Sequence, residues 1–300
     1  MARPNLFIGL PAADRLGAGD PRTLVDMCRR SEDAGADGVV VTDHVLLGTR
    51  LDRYEWGKFP FPADVPWLEP MTMLTAVAAV TDRIVLTTGI LIVPLRPAAL
   101  LAKIAATVDV LSGGRLELGV GTGWQEEELA AQGVDFARRG QVLTDAIGAC
   151  RALWTDSPAS FHSESVSFDD VWSEPKPVRP GGPRVLFSGT LTPRNMRRIV
   201  ELGDGWIPIM GETLDGLAAG VDRLREAYTA AGRDPGELRV RGTLPVVKGD
   251  DGRPSLDATL AGAHALGEMG VTDAQLTMPA FVREADRVPA FFDDLAGRWG

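Results

Sequence analysis

The stretch Leu116–Val134, "LELGVGTGWQEEELAAQGV", decides how the chain folds. It opens as a short apolar strand, and Gly119, Gly121 and Gly123 follow at alternate positions. A Rossmann dinucleotide turn needs G-x-G-x-x-G, because its third glycine lets helix and strand pack closely. Here that position holds Trp124, so the dinucleotide turn is excluded and the glycines need another explanation.

Working outward, short β-branched runs alternate with amphipathic stretches. Strands are expected at 5–10, 37–43, 83–93, 115–120, 183–189, 204–209, 237–247 and 272–278. Helices are expected between and after them, at about 20–35, 70–82, 97–114, 137–155, 192–203, 212–231, 255–270 and 283–299. Asp20, Pro21 and Gly35 punctuate the first helix as cap, first turn and stop. About eight strand–helix units with near-continuous apolar strands predict a single-domain α/β TIM barrel over 1–300. Segments 45–69 and 156–182 read as insertions within that barrel rather than as linkers. A doubly wound sheet is the weaker alternative, since "GLPAADRLG" (9–17) makes a poor phosphate loop.

Composition narrows the function. The chain has 300 residues and a formal net charge of −10, so it repels phosphate backbones and anionic membrane surfaces. No apolar run approaches the roughly 20 residues of a membrane span, and the apolar run near the N-terminus is too short for a signal peptide, so neither is expected. Two cysteines, Cys28 and Cys150, both on expected helices, give no disulfide framework and fit a reducing cytoplasm. The three histidines are scattered without metal-ligand spacing, so no metal site is expected. Ser188 has no nucleophile elbow around it, and Lys103 lies mid-helix.

In a TIM barrel, reactive groups stand at the C-terminal ends of the strands. Those ends hold Asp43 and His44, then Thr88, Gly89 and Ile90, then Gly121, Thr122, Gly123 and Trp124, then Ser188, Gly189 and Thr190, and Trp206. His44 can exchange a proton near neutrality. Asp43 and His44 point to opposite faces of the strand and so do not form a simple dyad. "SGTLTPRN" (188–195) places hydroxyls and amides before a helix start, an arrangement that cradles phosphate, with Arg194 and Arg197 adding charge. The carboxylates of "QEEE" (125–128) read as complements to a helix start. Such polar groups suit a site that binds a cofactor carrying the chemistry.

Together, "GRLELGVGTGWQEEELAAQGVDFARRG" (114–140), "VTDHV" (41–45), "GILIVPLRPAALLAKIAATVDVLSGG" (89–114) and "ELGDGW" (201–206) resemble the luciferase-like monooxygenase superfamily, over nearly the whole chain. They are more similar to its deazaflavin (coenzyme F420)-dependent oxidoreductase branch. The resemblance implies hydride transfer between F420 and a small or medium organic substrate. A reduced-FMN-dependent monooxygenase and a non-catalytic F420- or flavin-binding protein are the alternatives. It implies that Asp43, Thr88, Gly89, Ile90, Gly121, Thr122, Gly123, Ser188, Gly189 and Thr190 bind cofactor. It also implies a non-prolyl cis peptide between Gly89 and Ile90, proton transfer at His44, and a homodimer. Sugar-phosphate dehydrogenases of the branch carry a glutamate where this chain has Trp124, which argues against that substrate and weakens the transfer of their mechanism. Trp56, Trp124 and Trp206 are expected to wall the substrate pocket. Tyr54, Trp56, Phe59, Phe61 and Trp67 read as an aromatic lid over it, or else as a dimer contact.

Overall fold

A computed structural model of the chain describes residues 3–10, 20 and 22–299. Pro21 and most of the 9–17 turn therefore lie outside the described residues. In chain order the elements are β1 (Asn5–Leu10), α1 (Arg22–Asp33), β2 (Gly38–Val41), α2 (Pro70–Ala78), β3 (Val85–Thr88), β4 (Leu91–Ile92), α3 (Ala98–Ser112) and β5 (Leu116–Gly121). Next come α4 (Glu126–Ala131), α5 (Arg139–Thr155), β6 (Ala159–His162), β7 (Ser167–Val171), β8 (Arg184–Ser188), α6 (Pro193–Leu202) and β9 (Gly205–Ile207). The chain closes with α7 (Leu214–Ala230), β10 (Arg239–Thr243), α8 (Leu256–Glu268), β11 (Asp273–Thr277) and α9 (Val288–Trp299).

The strands pair in parallel around a closed ring in the order β3, β2, β1, β11, β10, β9, β8, β5, and β3 meets β5 to shut it. This is the expected TIM barrel. Three details depart from the expected elements. The 83–93 strand is two strands, because β3 stops at Thr88 and β4 resumes at Leu91 on the same neighbour, β5. The 156–182 insertion carries an antiparallel hairpin, β6–β7. Residues 126–131 form a short helix of their own.

Alternation along each strand divides the barrel into two environments. Residues such as Leu6, Ile8, Val39, Val41, Leu86, Leu118, Val120, Val185, Phe187, Val240 and Leu276 join the main apolar core with the helices. Both cysteines belong to that core. Burial pushes the thiols of Cys28 and Cys150 up to about 12. The intervening residues face the barrel axis, where Phe7, Val40 and Leu186 share the space with buried charged groups. Arg241, 2% exposed, pairs with Glu117, 3% exposed, and donates to Thr87 Oγ1 at 3.1 Å and to the Thr88 carbonyl at 3.3 Å. Its guanidinium also lies 4.8 Å from the Phe7 ring centroid. Burial pushes the Glu117 carboxyl above the usual carboxylate range, against the pull of Arg241.

Two predictions follow from these environments. Removing one member of a buried pair strands the other charge, so Arg241→Met is expected to cost about 3–5 kcal/mol in urea unfolding. Adding Glu117→Leu to it is expected to recover most of that loss; a double variant as unstable as the single would show that the pair is not what the stability rests on. Buried, neutral thiols react slowly. Both cysteines are therefore expected to stay unlabelled by an aromatic disulfide reagent at pH 8 in the native protein and to react fully in denaturant.

Candidate functional site

The break between β3 and β4 shapes the barrel mouth. The Gly89–Ile90 peptide is cis, as the resemblance implies. The bulge it forms is pressed sideways into β5. A Cβ on Gly119 would stand 2.1 Å from the Thr88 carbonyl oxygen, and one on Gly121 would stand 2.8 Å from Ile90 Cδ1. Thr88 Oγ1 in turn donates to the Gly119 carbonyl at 2.8 Å. The alternating glycines of the opening stretch therefore make room first for the neighbouring strand. Thr122, Gly123 and Trp124 continue from β5 to the partly exposed rim.

Asp43 and His44 diverge at the end of β2, as strand geometry requires. Asp43 turns toward the bulge. It accepts from Arg96 Nη1 at 2.6 Å, Arg96 Nη2 at 3.0 Å and the Ile92 amide at 2.8 Å. Burial pushes its carboxyl above the ordinary range, while Arg96 and the Ile92 N–H pull the other way. Arg96 also donates to Glu69 at 2.8 Å, and Glu69 caps α2 by accepting from the Thr72 amide at 2.7 Å. Burial works to lower Arg96, but the two carboxylates outweigh it and hold its proton. Asp43 is thus spent on the β3–β4 bulge, and its side chain is wholly buried.

His44 turns the other way and meets a residue that the sequence reading had assigned to a helix start. Glu128, 1% exposed on α4, places Oε2 3.0 Å from His44 Nδ1. Its Oε1 accepts from the Val45 amide at 2.7 Å and the Leu46 amide at 3.2 Å. Gln125 fixes the next turn of the same loop, accepting from the Gly48 amide at 2.8 Å and donating to the Gly48 carbonyl at 3.1 Å. No sequence signal pointed to Glu128, which lies 84 residues from its partner. Gln125, the N-cap residue, and Glu128 stand three residues apart, which puts both on one side of this short helix.

The 45–69 segment folds back as an aromatic cover. Around the His44 ring stand Trp67, Phe59 and Trp124, with centroids at 4.8, 6.0 and 6.3 Å. Tyr54 touches Phe59 and Trp124 at 5.2 and 5.1 Å, and its hydroxyl reaches Met210 Sδ beyond β9 at 3.5 Å. The segment therefore spans the mouth from β5 to β9. Trp56 sits at its outer rim, against Tyr54 at 5.3 Å and 39% exposed. The Trp67 indole N–H is buried with no acceptor, an orphan donor beside His44. Both arginines of this cover are paired locally, Arg50 with Asp52 and Arg53 with Glu126 and Glu127.

Across the mouth, the turn after β8 is rigidly built. Gly189, at φ +113°, adopts a conformation that favours glycine, and its N–H donates to the Ile207 carbonyl at 3.0 Å. Asn195 Nδ2 donates to the Ser188 carbonyl at 3.3 Å and the Thr190 carbonyl at 3.2 Å. Thr192 caps α6 by accepting from the Asn195 amide at 3.2 Å. These bonds draw the turn's carbonyls inward. Among the described residues no acceptor takes the amides of Thr190 and Leu191. Arg194, in the first turn of α6, is exposed and has no carboxylate partner among the described residues. Nearby, buried Arg198 binds Thr144 Oγ1 at 2.7 Å and the Gly140 carbonyl, and burial pushes its pKa down, with Arg194 adding to the effect. Free amides, a helix N-terminus and an uncompensated guanidinium make this turn a fitting seat for an anion.

Trp206 stands elsewhere than the sequence reading placed it. It is 1% exposed, packs under Gly220 and Leu191, and donates its indole N–H to the Gly189 carbonyl at 2.8 Å. A ring enclosed in that way braces the turn from below instead of facing a substrate pocket. Among the described residues no group of three or more potential ligands is arranged to hold a metal ion, and no helix is long and apolar enough to cross a membrane.

Comparison with known proteins matches this geometry to a family. An uncharacterized protein of Mycobacterium tuberculosis (strain ATCC 25618 / H37Rv) is 36% identical over 231 residues, covering 77% of this chain and 76% of that protein. An F420-dependent glucose-6-phosphate dehydrogenase of Amycolatopsis mediterranei (strain U-32) is 31% identical over 199 residues, covering 65% of this chain and 55% of that protein. A monooxygenase from Streptomyces bottropensis superposes with a TM-score of 0.79 at 17% identity, covering 98% of both chains, which shows a shared fold. The family model described as luciferase-like monooxygenase matches residues 6–282. The chain belongs to the luciferase-like monooxygenase family, whose members are oxidoreductases and monooxygenases using F420 or reduced flavin.

Proposed function

We propose that this protein is an F420-dependent oxidoreductase that transfers hydride to or from a small or medium organic alcohol or carbonyl compound. The observation that carries the reading is His44. Its Nδ1 is held by Glu128, and among the described residues its Nε2 has no hydrogen-bond partner. Removing hydride from an alcohol carbon leaves a carbonyl only if the hydroxyl proton also departs. His44 Nε2 is the group at the mouth that can accept it, or return it in the reverse direction.

The residues present fit such a cofactor. The Thr190 and Leu191 amides, the Ser188 and Thr190 hydroxyls and Arg194 would hold its phosphate. Gly89 and Ile90 would form the shelf beneath its ring, and Gly121, Thr122 and Gly123 would line its side. When bound, F420 supplies or accepts the hydride; the chain supplies position, dryness and the proton relay. Asp43 acts at one remove, by fixing the bulge. Trp124, Tyr54 and Phe59 exclude water and favour a substrate with an apolar body, and Trp56 lines the entrance. The same phosphate turn would also accept FMN, and a reduced-FMN monooxygenase is the second reading, favoured by the likeness to the Streptomyces bottropensis enzyme.

Fluorescence titration with F420 and, separately, with FMN tests the choice. The expected outcome is micromolar binding of F420 and much weaker binding of FMN; the reverse preference, with oxygen consumed on turnover, would establish the second reading. Binding of F420 with no turnover over a broad panel of alcohols and ketones would leave a carrier protein instead. In the active enzyme, His44→Asn is expected to lower kcat by about 10²–10⁴-fold, as loss of a general acid–base does, while the dissociation constant for F420 stays within about threefold. An equal loss of cofactor binding would move His44 from proton transfer to cofactor contact.

A further inference from the structure

We propose that Glu128 is a positioning residue that sets the tautomer of His44 and ties that choice to the closed aromatic cover. The inference rests on the reading of His44 as the proton-handling group. A carboxylate offers acceptors only. Oε1 is occupied by two backbone donors, the Val45 and Leu46 amides, so Oε2 is the oxygen that faces His44. Nδ1 must then carry the hydrogen, and the lone pair falls on Nε2. Fixing one ring nitrogen by a hydrogen bond is the general means by which proteins decide which nitrogen does the chemistry.

The same three bonds join two elements. Val45 and Leu46 begin the 45–69 segment, whose rings enclose His44, and Glu128 sits on the helix that follows Trp124. Cover, base and cofactor loop thus share one carboxylate. That carboxylate is 1% exposed, and among the described residues no lysine or arginine is bonded to it. Its three donors are two amides and an imidazole, so its solvation depends on all of them together. A salt bridge serving stability alone would favour a fixed cation over a residue that can lose its charge.

Glu128→Gln separates positioning from mere packing because it preserves size and shape. The glutamine carbonyl is expected to stay with the two backbone amides, since an NH2 group there would oppose two donors. Its NH2 then faces Nδ1, which must surrender its hydrogen, and the hydrogen moves to Nε2. The variant would keep the fold and the cover while presenting a donor where the reaction needs an acceptor.

The test uses long-range ¹⁵N–¹H correlation spectra of the cofactor-free protein, in which only three histidines appear and His44→Asn identifies the relevant signal. The expected result is the Nδ1–H tautomer for His44 in the wild type and Nε2–H in Glu128→Gln, with unfolding curves that nearly coincide. With F420 and an active alcohol, kcat for the alcohol is expected to fall about 10²-fold or more while KM changes by less than about threefold. An Nε2–H tautomer in the wild type would overturn the proposal, and so would an unchanged tautomer or an unchanged kcat in the variant. The wild-type spectrum decides the matter even where the variant folds poorly. Failure of F420 to bind, beside an Nδ1–H wild type, would sink the proposed function and leave the positioning of His44 standing.

Discussion

The approach of the Thr88 carbonyl to Gly119 is the constraint on which the mouth of this barrel depends. Two parallel strands cannot ordinarily press a carbonyl into a neighbouring Cα, because a Cβ stands in the way. Here the Cβ is missing, and the oxygen lies 2.1 Å from where it would be. Arg241 anchors the same carbonyl from the barrel interior, and Thr88 Oγ1 returns a bond to β5. From the other side, Asp43 holds the Ile92 amide, and Arg96 holds Asp43. The bulge is therefore clamped from three directions before any ligand is considered. A surface so determined can serve as a rigid shelf, which is what a planar cofactor needs if its reactive carbon is to meet a substrate within a fraction of an ångström.

The clamp explains why two ionisable neighbours, Asp43 and His44, divide their work. A strand sends consecutive side chains to opposite faces. The aspartate takes the structural side, where its charge is buried against an arginine. The histidine takes the side under the aromatic cover, where a second carboxylate meets it across the mouth. Neither role can be exchanged by rotation alone. The network also keeps the charges apart: Asp43 and Glu69 share Arg96, while Glu128 is held by two backbone amides and the His44 ring. Both arrangements keep strong fields fixed in a site walled by aromatic rings, where an unpaired charge would be costly.

Much of this was legible in the sequence, and the reasons differ by element. The parallel barrel was read from apolar runs of strand length, and those runs are apolar because helices cover their outer faces. The divergence of Asp43 and His44 followed from a period of two. Both are local rules. What the reading missed depends on distance along the chain. By sequence Glu128 reads as a helix-start carboxylate, and its neighbours Glu126 and Glu127 are just that, exposed and paired with Arg53. Nothing in "QEEE" distinguishes the third glutamate until β2 and α4 are brought together. Trp206 failed for a related reason. Its position at a strand end suggested the pocket, but indole size and the demand for a partner at its N–H drew it beneath the Gly189 carbonyl.

The charged groups inside the barrel bear on the mouth as well. An axis filled with branched apolar side chains would stabilise the barrel with less risk, because buried ion pairs seldom repay their desolvation. This chain instead places Glu117 and Arg241 under the bulge and Asp273, Arg239 and Asn5 at the opposite end. What such a pair supplies is direction. A guanidinium has donors in a fixed plane, and two of those used by Arg241 aim at Thr87 and Thr88, the residues that carry the shelf. An apolar side chain could fill the same volume without fixing the carbonyl's orientation. The cost in stability is thus tied to the geometry of the mouth, and the interior of the barrel is best understood as the underside of the site.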